Sequence, residues 1–282
     1  MGSLYSVSEG FLCGQAIFGF VKLNYNFISG NLHYDLKKEV YRKLGTLMPQ
    51  PSIYYMQDPV ISTPKGLVKP KMSIFTRKQE PDIVEMALGK EKYIHQMENC
   101  GEGGDVTIST FKGKNATMFF GINAASGDYI NDDIETISNK GSISQVIRIY
   151  TPDFFDKSKR YPNENVMHLD TFFMPIGNKI LLANTAMLEQ SAVKEGKKLT
   201  NAYDWAKMNF DRIIEVPDKE QQGIYGWGAN ILPIELNNII SAKHLAITNS
   251  LLKNAGFNVY ELELSTLTSG FGAAHCMAAY LR

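Results

Sequence analysis

The sequence is poor in cysteine, in net charge and in long apolar runs, and each scarcity removes a class of function. Its three cysteines, Cys13, Cys100 and Cys276, include no C-x-x-C pair. Neither a disulfide framework nor a cysteine-rich zinc module fits, and a reducing, cytoplasmic setting is expected. The 29 Lys and Arg residues balance 29 Asp and Glu, and no basic run exceeds the pairs Lys37-Lys38 and Lys197-Lys198. A protein that neutralises several phosphates shows a basic excess or stripe, so no nucleic-acid partner is expected. The longest apolar stretch, around Phe11 to Val21, is broken by Gly14, Gln15 and Gly19, follows Glu9 and has no basic start. It is too short to span a membrane and wrong for a signal peptide, and a soluble protein is expected. What is present is an ordinary globular composition, 44% hydrophobic and 21% charged, with no Pro/Ser-rich linker or low-complexity tract. A single domain over residues 1–282 follows as the expectation.

Periodicity gives the organisation. Leu36, Val40 and Leu44 carry helical spacing from His33 to Gly45, and Pro81 opens a second short helix toward Leu88, with Gly89 placed to stop it. From Asp105 the pattern shortens to alternation at Val106, Ile108 and Thr110, turns at Lys112-Gly113-Lys114 and resumes from Met118 to Ile122, which predicts a hairpin. A helix with Ile130, Ile134 and Ile137 on one face and a stop at Gly141 follows, then a strand over Val146-Ile147-Arg148-Ile149. The order is strand, strand, helix, strand. It returns from Met167 to Val216, with a Gly177-Asn178 turn and a helix over Asp204 to Phe210. It returns again near the end, where a strand around Ile231 precedes a helix over Ser241 to Asn254 and a strand over Asn258 to Leu264. Repetition of one such unit predicts a radial or stacked α/β architecture.

Three segments combine reactive side chains with turn-forming residues: Gly101-Glu102-Gly103-Gly104-Asp105, His168-Leu169-Asp170, and Gly270 to Cys276. Glycines beside Glu102 permit positive φ and would present its carboxylate at the start of a strand; the plain alternative is a hairpin turn. On a strand, His168 and Asp170 would face the same side and meet one ligand; the alternative is a capped strand end. A metal would need further ligands, and His33, His95, His244 and His275 form no ligand-spaced set. Cys276 sits in a glycine-rich approach that can leave a side chain exposed, against the alternative of a small buried hydrophobe. A free thiol needs a cation nearby to be nucleophilic at neutral pH, and a cationic substrate supplies that charge itself. Carboxylates match the rigid N–H fork of a guanidinium, so nucleophilic attack on a planar, cationic carbon is a coherent chemistry for this set. Trp205 and Trp227 are expected in packing, with the Gly-rich loop Tyr225-Gly226-Trp227-Gly228 a candidate lid.

Read in order, these segments resemble the guanidino-group-modifying superfamily of arginine deiminases, dimethylarginine hydrolases, agmatine deiminases and amidinotransferases. Glu102-Gly103-Gly104-Asp105-Val106 is similar to the family's acidic Gly-Gly-Asp strand start, Met167-His168-Leu169-Asp170-Thr171 to its His-x-Asp segment, and Gly272 to Met277 to its terminal cysteine segment. Gly228-Ala229-Asn230-Ile231-Leu232 resembles the approach to that cysteine, and Gln57-Asp58-Pro59 an early Asp-Pro turn. The likeness runs from about Tyr54 to the end, and residues 1–50 match poorly. It implies a five-bladed α/β propeller (pentein) of ββαβ units and a hydrolase acting on a guanidino compound. Cys276 would form a covalent amidino-thioether, His168 would act as acid and then base, and Glu102 would orient His168. Asp58 and Asp170 would hold the guanidinium, and Asp105 would support the turn. An amidinotransferase would share this constellation, and a non-catalytic binding propeller is the third reading. No metal or organic cofactor is implied; the partner is a small guanidino molecule, with room for a homodimer. Where arginine deiminases carry an Arg before the early Asp and an Arg-Thr pair after the second strand, this chain has Gln57 and Asn123-Ala124-Ala125. Arg77 is the candidate to replace one of those substrate-binding arginines, against the plain alternative of a surface arginine in a loop.

Overall fold

Two strands, a helix and a third strand form the unit from which the molecule is built. The computed structural model describes residues 11–13, 52, 54–159, 168–177, 179–221, 226–234, 237–268 and 271–280. The helix expected over His33 to Gly45 lies outside them. Strand β1 (Phe11–Cys13) pairs antiparallel with the last strand, β16 (Ala278–Tyr280).

In the first unit β2 (Ile61–Thr63) and β3 (Gly66–Lys69) pair antiparallel, helix α1 (Glu80–Leu88) crosses over, and β4 (Tyr93–Gln96) lies parallel to β3. Pro81 stands in the first turn, where its missing N–H costs nothing, and Gly89 ends the helix at φ 98°. The second unit is the expected hairpin of β5 (Val106–Phe111) and β6 (Lys114–Ile122), helix α2 (Asn131–Gly141), and β7 (Gln145–Tyr150) parallel to β6. Lys112 and Gly113 both take positive φ, 49° and 72°, as the twist of a tight hairpin requires. Gly141 is the last helical residue rather than the stop. The left-handed cap is Ser142 at φ 58°, and Gly141 is small because a Cβ there would lie 2.9 Å from Thr63 of the first unit.

The third unit begins with β8 (Phe173–Ile176) and β9 (Ile180–Ala183). An insertion unannounced by the periodicity follows: a short helix over Thr185–Glu189, then the hairpin of β10 (Ala192–Glu195) and β11 (Lys198–Asn201). Helix α3 (Ala202–Asn209) then leads to β12 (Arg212–Glu215), parallel to β9. The inserted hairpin pairs with β7, so the second unit's sheet has the order β11-β10-β7-β6-β5 and the third unit is stapled to the second. The fourth unit is β13 (Leu232–Pro233), β14 (Asn238–Ala242), helix α4 (Ala246–Asn254) and β15 (Asn258–Leu262). The expected helix start at Ser241 is corrected: Ser241 and Ala242 finish β14, and the helix begins at Ala246.

Apolar side chains fill the joints between units. Phe111 and Phe119 of the second unit pack with Leu169, Phe173, Trp205 and Phe210 of the third, all buried, and the Phe111 and Phe119 rings meet edge-on at 5.3 Å. Each such side chain contributes about 1.5–3 kcal/mol on burial. The first strands of all four units, with Tyr280 of β16, border one cavity of about 210 Å³. The segments that bear Glu102, His168 and Cys276 each lead into one of those inner strands, β5, β8 and β16. The fold thereby gathers residues from distant parts of the chain.

Candidate active site

Glu102 stands one residue before a tight turn, Gly103–Asp105, that leads into β5. The structure corrects the reason for its glycines. Neither takes positive φ, and Glu102 is buried rather than presented to solvent. Both are close-approach glycines: a Cβ on Gly103 would lie 1.8 Å from the Gln57 carbonyl oxygen, and one on Gly104 2.5 Å from His168 Nδ1 and 2.7 Å from Asp58 Oδ1. The Ser73 backbone N–H and hydroxyl donate to Glu102 Oε1 at 2.9 and 2.6 Å, leaving Oε2 for His168 Nε2 at 3.0 Å. Ser73 carries no motif, and only its packing identifies it.

His168 and Asp170 do not share a strand face. His168 is extended, but Leu169–Thr171 forms a single turn of 3-10 helix, and β8 starts only at Phe173. The cause is local: the Thr171 hydroxyl and N–H both bond back to the His168 carbonyl, at 2.6 and 3.2 Å, an alternative to a strand ladder that Thr readily offers. Asp105 reinforces the turn, accepting from the Leu169 N–H and from Asn123 Nδ2. The two side chains consequently serve two ends of one site. His168 lies between Glu102 and Asp58, whose Oδ1 is 3.5 Å from Nδ1. Asp170 accepts from His275 Nδ1 at 2.7 Å and lies 3.5 Å from Cys276 Sγ.

Cys276 is buried, not exposed at its turn. Gly272 allows this packing, since a Cβ there would sit 2.7 Å from the Tyr55 ring and 3.0 Å from Cys276 Cβ. The Gln57 backbone N–H donates to the Cys276 carbonyl at 3.0 Å, which ties the cysteine turn to the segment bearing Asp58. Gln57 itself spends its side chain on the carbonyls of Gly103 and Val106. Arg77 is buried and closes a short turn before α1. It donates from Nε and Nη2 to Glu80 and from Nη1 to Asp58 Oδ2 at 2.7 Å. Among the described residues, nothing donates a hydrogen bond to Asp58 Oδ1 or Asp170 Oδ1 although both are buried, and Asp58 Oδ1 faces His168 Nδ1 at 3.5 Å.

The charges sort the roles. Burial pushes the His168 imidazole toward neutrality, but Asp58, Glu102 and Asp105 overcome this and raise it to about 10. Burial likewise opposes the Glu102 charge, yet His168, Arg77 and Ser73 bring that carboxyl down to about 2. Asp58 is pushed up by burial, against the pull of His168 and Arg77. Burial and the facing Asp170 and Asp58 carboxylates hold the Cys276 thiol well above its ordinary range. At neutral pH the site therefore offers a protonated histidine as acid, and a thiol that ionises only when positive charge arrives beside it.

The sequence model of the arginine deiminase family matches residues 17–282, nearly the whole chain. The chain belongs to the arginine deiminase family. The match reaches back into the first fifty residues, where the motifs had offered little. Arginine deiminase of Levilactobacillus brevis is 25% identical over 265 residues, 82% of this chain and 61% of the relative. The uncharacterized protein YkgA of Bacillus subtilis is 25% identical over 212 residues, 72% of this chain and 67% of the relative. The chain thus spans about three fifths of the length of the curated arginine deiminases it matches. Among solved structures, the N-terminal domain of ArgZ, a cyanobacterial arginine dihydrolase bound to its product, shares the fold at a TM-score of 0.64 with 15% identity, covering 90% of this chain and 87% of that one. DDAH from Pseudomonas aeruginosa, complexed with citrulline, does so at 0.59 with 18% identity, covering 90% and 89%.

In this arginine deiminase family member the candidate residues named from sequence, Asp58, Arg77, Glu102, His168, Asp170 and Cys276, all come together. The atoms of Asp58, Glu102 and His168 also lie within 4.8 Å of one another, close enough to hold a cation. Arg77 Nη1, 2.7 Å from Asp58 and 3.9 Å from Glu102, already brings positive charge to both carboxylates, and His168 carries its own proton. These donors fit an ion-pair network better than a metal. The lid expected at Tyr225 to Gly228 is corrected where it can be seen: Gly226 to Asn230 are buried, and Trp227 is a packing residue at φ 72°. Tyr225 lies outside the described residues.

Proposed function

We propose that the chain hydrolyses a guanidino compound through a covalent thioether on Cys276. The carrying observation is the convergence of a buried thiol, a protonated histidine and paired carboxylates in one site, with Asp58 Oδ1 and Asp170 Oδ1 accepting no hydrogen bond from the described residues. The substrate's guanidinium donates N–H groups to those oxygens, and Arg77 joins the binding set through Asp58, whose charge it supports from behind. Arrival of this cation lets the Cys276 proton leave to solvent, and the thiolate attacks the guanidinium carbon. His168, oriented by Glu102, gives its proton to the departing amine as the C–N bond breaks. It then takes a proton from the incoming water, whose oxygen bonds to the same carbon, and expulsion of the thiolate releases the ureido product. A variant of the N-terminal domain of ArgZ is covalently bonded to a reaction intermediate, in keeping with this course.

We further infer a five-bladed propeller, with the four described units as blades and the β1–β16 pair in the fifth. In this reading one cytoplasmic domain spans the chain, alone or as a homodimer. The convergence of four first strands and β16 on one cavity supports this closure.

Mass spectrometry of the intact protein tests the chemistry, after brief incubation with arginine, methylated arginines and simple alkylguanidines and an acid quench. A substrate-dependent amidino adduct that disappears in Cys276→Ala is expected. No adduct together with no released amine or ammonia across the panel would sink the reading.

A further inference from the structure

The strongest charges acting on Cys276, those of Asp170 and Asp58, are negative, and what opposes them is hydrogen bonding from the Asn230 side chain and the Ala273 backbone. One buried side chain reaches it. Asn230 Nδ2 donates to Cys276 Sγ at 3.1 Å and to the Asp170 carbonyl at 3.4 Å, and Asn230 Oδ1 accepts the backbone N–H groups of Ala273 and Cys276 at 3.0 and 3.1 Å. The Asn230 carbonyl accepts from the His275 N–H at 3.3 Å. Asn230 is fully buried and is delivered by the tight turn at Trp227, whose carbonyl accepts the Asn230 N–H at 2.8 Å. The same amide thus clasps both ends of the nucleophile's turn and points a proton at its sulfur.

We propose that Asn230 is the positioning residue of the nucleophile, its Oδ1 fixing the turn from Ala273 to Cys276 and its Nδ2 supplying the hydrogen bond that receives the thiolate. Only an amide performs both tasks, because the two atoms need opposite hydrogen-bonding character. Aspartate keeps the acceptor but replaces the N–H by a second oxygen, which repels the thiolate as it forms. Alanine removes both. Asp170 and Asp58 remain, and neither can donate in its ionised form. The role rests on the reading of Cys276 as nucleophile, but it concerns the thiol itself and is measurable without any guanidino substrate.

The test is the pH dependence of Cys276 alkylation by iodoacetamide in a Cys13→Ser, Cys100→Ser background, with no substrate present. In Asn230→Asp the alkylation rate at pH 8 should fall about tenfold or more, corresponding to a rise of at least about one unit in the apparent thiol pKa. With substrate, kcat should fall while KM stays within about twofold, since substrate contacts are untouched. Wild-type alkylation behaviour in a folded Asn230→Asp protein would overturn the proposal. A normal alkylation effect with no turnover of any guanidino compound would instead overturn only the proposed function. Should the variants not fold, the unsubstituted protein labelled with 15N-asparagine gives the answer. One side-chain amide should shift when Cys276 is alkylated, and its shift should titrate with the alkylation rate. If no side-chain amide responds, the contact between Asn230 and sulfur is refuted.

Discussion

At the scale of residues, the site depends on what two adjacent glycines leave out. Gly103 and Gly104 are chemically identical in the sequence, yet a methyl group meets backbone at one and the side chains of His168 and Asp58 at the other. Gly103→Ala should disrupt the fold, because the Gln57 and Val60 carbonyls at 1.8 and 2.6 Å cannot retreat without moving the turn that bears Asp58. Gly104→Ala should instead stay folded while His168 and Asp58 are displaced, and a misplacement of that kind costs on the order of 100-fold in turnover. Thermal melting beside a product assay separates the two, and equal damage to stability in both variants would refute the distinction. The motif residues were legible because they sit in short contiguous patterns. Ser73 and the role of Asn230 were not, because their partners, Glu102 and Cys276, lie 29 and 46 positions away.

At the scale of elements, helix and strand edges followed local chemistry closely where the chain pairs with its neighbours in sequence. Pro81, Gly89 and Gly113 act as their residue types demand, and the β5–β6 hairpin lies where alternation placed it. Failures came where a side chain outbid the period. Thr171 curls the His168 segment out of the strand, and Ser142 takes a left-handed cap that a glycine would take at lower cost. Ser142 is exposed and non-glycine αL conformation is unfavourable, so Ser142→Gly should stabilise the protein by about 0.5–1 kcal/mol. A rise in the urea midpoint with unchanged slope checks this. The inserted β10–β11 hairpin escaped notice because its strands are four residues long and β11 faces solvent, which leaves little alternation to detect.

At the scale of the whole molecule, stability is linked to the protons of the site. His168 is raised from 6.5 to about 10 on folding, so its contribution is complete below pH 6.5 and is lost as the pH climbs from there through 10. Glu102 is lowered from 4.5 to about 2, so its contribution is complete above pH 4.5 and is lost as the pH falls toward 2. Both are present in full between pH 4.5 and 6.5. Urea unfolding should show stability declining from pH 6.5 to 8.5, by on the order of 1 kcal/mol per pH unit from this histidine. His168→Gln should flatten that decline, and an unchanged slope in the variant would show that the proton is not held at His168. The motifs, the repeating unit and the residue types of the site are legible in the chain order alone, because periodicity and capping are local and the candidate residues stand in recognisable neighbourhoods. It takes the packed fold to set His168 against Glu102 and Asp58, and Asp170 against His275 and Cys276. Only there does Arg77 meet Asp58, and one asparagine clasp the turn of Cys276. Those pairings join residues from 19 to 110 positions apart, where no local pattern carries the information.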